Sequence, residues 1–132
     1  PHQAAVRVIS AGLLALGLLE GELEDVIEQE AYKKFYMHKT GHWLGLDVHD
    51  VGEYQVDETW REFEPGMVMT VEPGIYIEEG LDVPARFRGI GIRIEDNVLV
   101  TQKGHDVLTK GIPKTIDEIE SYMAEHNPAL AS

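Results

Sequence analysis

Up to Phe35 the apolar residues of this chain recur at spacings of three and four, and from Thr40 onward that period is gone. Val6, Ile9, Leu13 and Leu16 form one helical stripe, which Gly17 ends as a residue suited to the left-handed position just past a helix. Leu23, Val26, Ile27, Ala31 and Phe35 repeat the stripe, and Glu22, Glu24, Asp25, Glu28 and Glu30 fill the opposite face. The acids lead and Lys33-Lys34 follow, as the helix dipole favours. Beyond Thr40, glycines, aromatic residues and β-branched residues replace the period. Met67 to Val71 and Ile75 to Ile77 read as short strands around a Glu72-Pro73-Gly74 turn, because proline lacks the ladder donor and glycine tolerates positive φ. Ile90 to Ile94 and Val98 to Thr101 read as two more, with Asp96-Asn97 as a hairpin turn. A last helix is expected over Thr115 to Ala124, with Ile116, Ile119 and Met123 on one face and Asn127-Pro128 ending it. Two helices, a β-rich middle and one helix make an α+β chain, with helices on one face of a mainly antiparallel sheet.

Composition removes whole classes of chemistry. No cysteine is present, which excludes a disulfide framework, a thiolate metal site and a cysteine nucleophile. Of the serines, Ser10 lies within a helix stripe and Ser121 and Ser132 lie near the end of the sequence, and neither a G-x-S-x-G elbow nor a glycine-rich phosphate loop occurs. A hydrolase built from these residues uses water. The formal charge of −13 and the lack of a basic stripe disfavour nucleic acid and anionic membranes as partners. The apolar run from Ala11 to Leu19 is about half of the roughly 20 residues that span a bilayer. A soluble, cytoplasmic protein is expected, and the opening on Pro1 directly before a helical pattern suggests a piece of a longer polypeptide.

Water at neutral pH needs activation, and a divalent metal held by imidazole and carboxylate is the usual device. His38, His42 and His49 fall in the window HKTGHWLGLDVH. Gly41 and Gly45 argue against a helix there, and Lys39 stands where the helical zincin motif carries glutamate. The plain alternative is a set of surface or hydrogen-bonded core histidines. Two acids weigh against it. Glu72 directly follows the apolar strand ending at Val71, and Glu95 follows the one ending at Ile94. A carboxylate at the inner end of a strand is costly unless paired or metal-bound, with Arg93 as the pairing alternative for Glu95. One imidazole and two carboxylates suit an ion such as Mn, Co or Zn.

The segments HKTGHWLGLDVHDVG, FEPGMVMTVEPGIYI and GIGIRIEDNVLVT, in this order, resemble the signature segments of the Xaa-Pro aminopeptidase and prolidase family of pita-bread metallopeptidases, closest to the bacterial aminopeptidase P type. Lys39 departs from the small residue usual in that pattern. The resemblance implies that residues 1–132 are the C-terminal half of a pita-bread fold with a curved, mainly antiparallel sheet, without the N-terminal domain and the first catalytic half. It implies that His42, Glu72 and Glu95 are metal ligands, Glu95 bridging two metals and Glu72 shuttling a proton. His38 and His49 then line the substrate pocket and hold the tetrahedral intermediate, Arg93 supports the ligands, and Tyr76 stands around them at the substrate site. The implied metals are two divalent ions in the full-length enzyme, Mn first with Zn or Co as alternatives. The implied substrate is a peptide with proline at its second position.

Two aspartates on strands ahead of the first helix complete that family's metal site, and none of Asp25, Asp47, Asp50, Asp57, Asp82, Asp96, Asp106 and Asp117 stands there. The chain alone is therefore expected to bind at most one metal weakly, to be inactive, and to self-associate into homo-oligomers through uncovered apolar surface. A pita-bread module used only for binding is the competing reading, and prolidase, methionine aminopeptidase or a creatinase-like hydrolase share the fold.

Overall fold

A computed structural model describes residues 1–127. Helix α1, His2–Ala15, buries Val6, Ile9, Ser10 and Leu13. It ends in a Schellman turn. Gly17 is left-handed at φ 67°, its N–H donates to the Leu14 carbonyl at 3.0 Å, and the Leu18 N–H donates to the Leu13 carbonyl at 2.9 Å. That turn swings Leu18 into the core and leaves Leu16, expected on the buried stripe, half exposed.

Helix α2, Leu23–Glu28, is shorter than its stripe predicts. Glu30 adopts a left-handed φ of 55° and a 3-10 turn, Ala31–Lys34, follows. The stripe runs on because Tyr32, Phe35 and Tyr36 pack into the same core as α1, together with Ile77 and Val83. Arg7 clamps Glu24 across the two helices at 2.6 Å.

Among the described residues all strand pairs are antiparallel and fall into three small sheets. Strand β1, Gln55–Val56, pairs with β2, Thr59–Trp60. Strand β4, Gly74–Tyr76, pairs with β5, Gly91–Arg93. Strand β6, Asp96–Thr101, lies between β3, Val68–Val71, and β7, Gly104–Val107. Asp96 and Asn97 therefore do not form the expected hairpin turn. They pair with Val71 and Thr70 inside β6, and Gln102-Lys103 turns the chain instead. The Asp96 carboxylate is held there by the Thr109 hydroxyl and by Lys114 at 3.2 Å. Helix α3, Ile116–His126, starts on a reciprocal capping box of Thr115 and Glu118, and its apolar stripe is exposed. Asn127 caps it, and Pro128, expected to end it, lies outside the described residues.

Candidate functional site

The histidine window is not helical, as its glycines predict, and it docks on β3 as an added edge. The Leu44 N–H donates to the Val68 carbonyl at 3.0 Å, the Thr70 N–H to the His42 carbonyl at 2.9 Å, and the Glu72 N–H to the Thr40 carbonyl at 2.6 Å. Gly41 makes this approach possible, because a Cβ there would strike the Thr70 carbonyl. Register alone then sets His42 opposite Thr70, two residues before Glu72.

Glu72 is 9% exposed and surrounded by partners. The Thr70 hydroxyl donates to its Oε1 at 3.0 Å, Arg93 Nη1 donates to its Oε2 at 3.1 Å, and His42 Nε2 lies 3.2 Å from Oε1. Thr70, which the sequence reading did not single out, also accepts the His42 N–H at 3.0 Å and so fixes both groups. The signal was available: a hydroxyl at a 1% exposed position between apolar strand residues must find partners.

The hydrogen-bond network assigns the tautomers. His42 Nδ1 lies 2.9 Å from the Trp43 carbonyl, an acceptor only, so Nδ1 carries the proton. In the neutral ring Nε2 then turns a lone pair toward the Glu72 carboxylate oxygen. Two acceptors at 3.2 Å need a cation between them, either a proton on the ring or a metal ion. Nδ1 bonded to a carbonyl is also the usual way a metal-binding histidine is oriented. The donor pair fits a borderline divalent ion.

Around this pair runs a relay. His38 Nδ1 donates to the Lys39 carbonyl at 2.7 Å, which leaves its Nε2 to accept from the Tyr76 hydroxyl at 3.1 Å. Tyr76 in turn accepts from Arg93 Nε at 2.7 Å. That bond, with the Glu72 and Glu95 charges behind it, raises the Arg93 pKa above its ordinary value, so the guanidinium stays charged. His49 is exposed on the loop after Trp43, with its ring 4.2 Å from that of His42.

Glu95 departs from expectation. It is exposed at the kink between β5 and β6, and it makes no hydrogen bond or ion pair among the described residues. Its expected burial fails because β5 is paired on one side only and is exposed throughout. The pairing alternative fails as well, since Arg93 binds Glu72 instead. Among the described residues no three histidine, aspartate or glutamate side chains converge on a point that could hold a metal. The donor pair by itself does not complete a metal site.

The pair opens on a cavity of about 890 Å³. Trp43 forms its aromatic wall, stacked on Tyr54 at 5.4 Å and edge-on to Phe63 at 6.1 Å, and Trp60 of β2 adds to it. A largely apolar cavity with a few convergent polar groups is the usual form of a small-molecule or peptide site.

Comparison with known proteins gives the family and the fold. Residues 2–102 match the model of metallopeptidase family M24. The Xaa-Pro aminopeptidase of Haemophilus influenzae is 56% identical over 122 residues, 92% of this chain and 28% of that protein. The structure of Pseudomonas aeruginosa aminopeptidase PepP superposes with a TM-score of 0.93 at 61% identity, over 96% of this chain and 29% of that one. Zinc-substituted Escherichia coli aminopeptidase P in complex with product gives 0.85 at 50% identity, over 91% of this chain and 27% of that one. The chain thus spans under a third of the length of the relatives it matches. The α+β, pita-bread expectation holds, and with a family model matched through the histidine window, both strand-ending glutamates and Arg93, the chain belongs to metallopeptidase family M24.

Proposed function

We propose that this chain is the C-terminal portion of the catalytic domain of a Xaa-Pro aminopeptidase, the part that presents His42 and Glu72 to a divalent metal and walls the peptide cavity. The 3.2 Å approach of His42 Nε2 to Glu72 Oε1 at the wall of the cavity carries the metal reading. The names and identities of the relatives support the substrate, a peptide with proline second. The metal, when bound, lowers the pKa of a water so that it can attack the scissile carbonyl. Mn is the ion proposed, with Zn or Co as alternatives and two ions in the full-length enzyme.

The chain's own groups divide the remaining work. Glu72, its Oε2 held by Arg93, accepts the proton of the attacking water and returns it to the leaving amine. The oxyanion that develops on the carbonyl is assigned to His49, whose ring lies 4.2 Å from that of His42, and to a protonated His38 positioned by Tyr76 and Arg93. An Xaa-Pro bond has no amide N–H, so a site that fixes it must grip the carbonyl and the ring, and the Trp43 wall supplies apolar surface for that ring. Glu95 is proposed to join the metal only once other parts of the protein cover β5.

Self-association of the isolated chain is part of this reading, supported by Leu46, Val51 and Ile92, which stand exposed. So is a cytoplasmic location, resting on the cysteine-free acidic composition. Mn titration of the 132-residue chain followed by NMR tests the metal reading. Weak paramagnetic broadening centred on His42 and Thr70, and abolished by Glu72→Gln, is expected. Broadening spread equally to His105 and His126 overturns it. No release of the first residue from an Xaa-Pro peptide is expected from this chain alone, and metal-dependent release would refute its proposed inactivity. A clean monomer in sedimentation at high concentration would refute self-association.

A further inference from the structure

The chain carries 24 acidic residues against 11 basic ones, and the cavity inverts that ratio. Its lining includes Lys39, Arg61 and Arg93 and a single carboxylate, Glu72. The charge of Glu72 is already met by Arg93 at 3.1 Å, and Arg61 leans on Glu64 at 3.5 Å. Lys39 has no ion-pair partner among the described residues, and its side chain is exposed at the end of the cavity formed with His2, Gln3 and His38.

A second observation marks the same end as electropositive. The His2 imidazole donates to or accepts from the Thr40 hydroxyl at 2.8 Å, in a partly buried position. Burial, and then the charge of Lys39, hold its pKa below the ordinary histidine value.

We propose that Lys39 is a specificity residue that binds a carboxylate of the bound peptide, so that this site prefers peptides carrying a negative charge on the carboxyl side of proline. The proposal rests on the peptide reading above. A cationic end repels the free amino group of a substrate, so the carboxyl side of the peptide is the part that runs toward Lys39. Lysine is a point charge on a flexible stem, without the fixed fork of arginine, and it accepts a carboxylate from either source: the C-terminus of a short peptide or an acidic side chain.

The test titrates the 132-residue chain with three probes: Ala-Pro-Ala with a free carboxylate, Ala-Pro-Ala amide, and Ala-Pro-Asp amide. The indole N–H signals of Trp43 and Trp60 and the ring signals of His38 and His42 report occupancy. The free acid is expected to bind about fivefold tighter than its amide, the upper end for an exposed ion pair, and added salt erodes the difference. Lys39→Gln removes the preference and Lys39→Glu reverses it. Matching affinity of Ala-Pro-Asp amide supports either carboxylate as ligand, and affinity no better than that of Ala-Pro-Ala amide supports the terminal carboxylate alone. Equal binding of acid and amide to the parent chain, or an acid preference that survives Lys39→Gln, overturns the role of Lys39 and leaves the peptide reading standing. Cavity signals unmoved by all three probes overturn both.

Discussion

Replacing Thr70 by valine removes one hydroxyl and keeps the shape, and the structure fixes what that hydroxyl does. It accepts the His42 N–H at 3.0 Å and donates to Glu72 Oε1 at 3.0 Å, at a position 1% exposed. A hydrogen bond to a charged group is worth about 1.5–3 kcal/mol and a buried N–H left without a partner costs about 1–3 kcal/mol. His42 is half-buried and recovers part of its loss from water, so Thr70→Val is expected to cost about 3 kcal/mol. For a chain of this length that lowers Tm by about 10 °C. Thr70→Ser keeps the hydroxyl and deletes one methyl group, which costs about 1 kcal/mol. Urea unfolding followed by tryptophan fluorescence, with Trp43 beside the site as reporter, gives both values. The His42 amide resonance should move in the valine variant and stay in place in the serine variant. A valine variant as stable as the serine variant would refute the bridging role of Thr70.

Ser10 predicts the opposite sign: its buried Oγ has no partner among the described residues, so Ser10→Ala should stabilise the chain by about 1 kcal/mol, and a lower urea midpoint would show that the hydroxyl has a partner after all. Gly41→Ala drives a Cβ into the Thr70 carbonyl and should lift residues 40–44 off β3, at a cost of at least about 2 kcal/mol and with loss of amide protection at Thr70 and Glu72; retained protection would refute the close approach. At the start of α3, bonds from the Thr115 and Lys114 N–H groups hold the Glu118 carboxyl below its ordinary pKa. Because the folded value is the lower one, this stabilisation is whole above the unfolded value and is lost as pH falls through the folded value, so the amide protection factors in the first turn of α3 should fall in acid below the ordinary carboxylate range. Protection factors that stay unchanged to pH 2 would contradict it.

Much of this was legible in the residues because it is local. The stripe of α1, the Gly17 turn, the Thr115 start of α3 and the strands on either side of Glu72-Pro73 each follow from spacing and turn chemistry within a few positions. The misses depend on what lies across the chain. Strands β1 and β2 escaped notice because Asp57 and Glu58 take positive φ, 48° and 62°, without the glycine or asparagine that announces such a turn. The stripe of α2 overran its helix because Tyr32 and Phe35 keep the apolar spacing while the backbone has already turned at Glu30. Strand β6 was read too short because Asp96 is polar, and its polarity is answered by Thr109 and Lys114, more than ten residues away.

Glu72 and Glu95 show where reading by residue stops. Both follow an apolar strand, and the cost of burying a carboxylate gave the same expectation for each. The structure separates them: Glu72 is covered by the Thr40–Leu44 edge and by Arg93, whereas nothing among the described residues lies over β5. Burial belongs to whatever packs on a strand and not to the strand's own alternation, so two equal sequence signals give one enclosed carboxylate and one exposed one. The enclosed one is met by Arg93, Thr70 and the His42 imidazole. Glu95 has no such company here, and under the proposed function any part it takes at a metal needs a surface brought over β5.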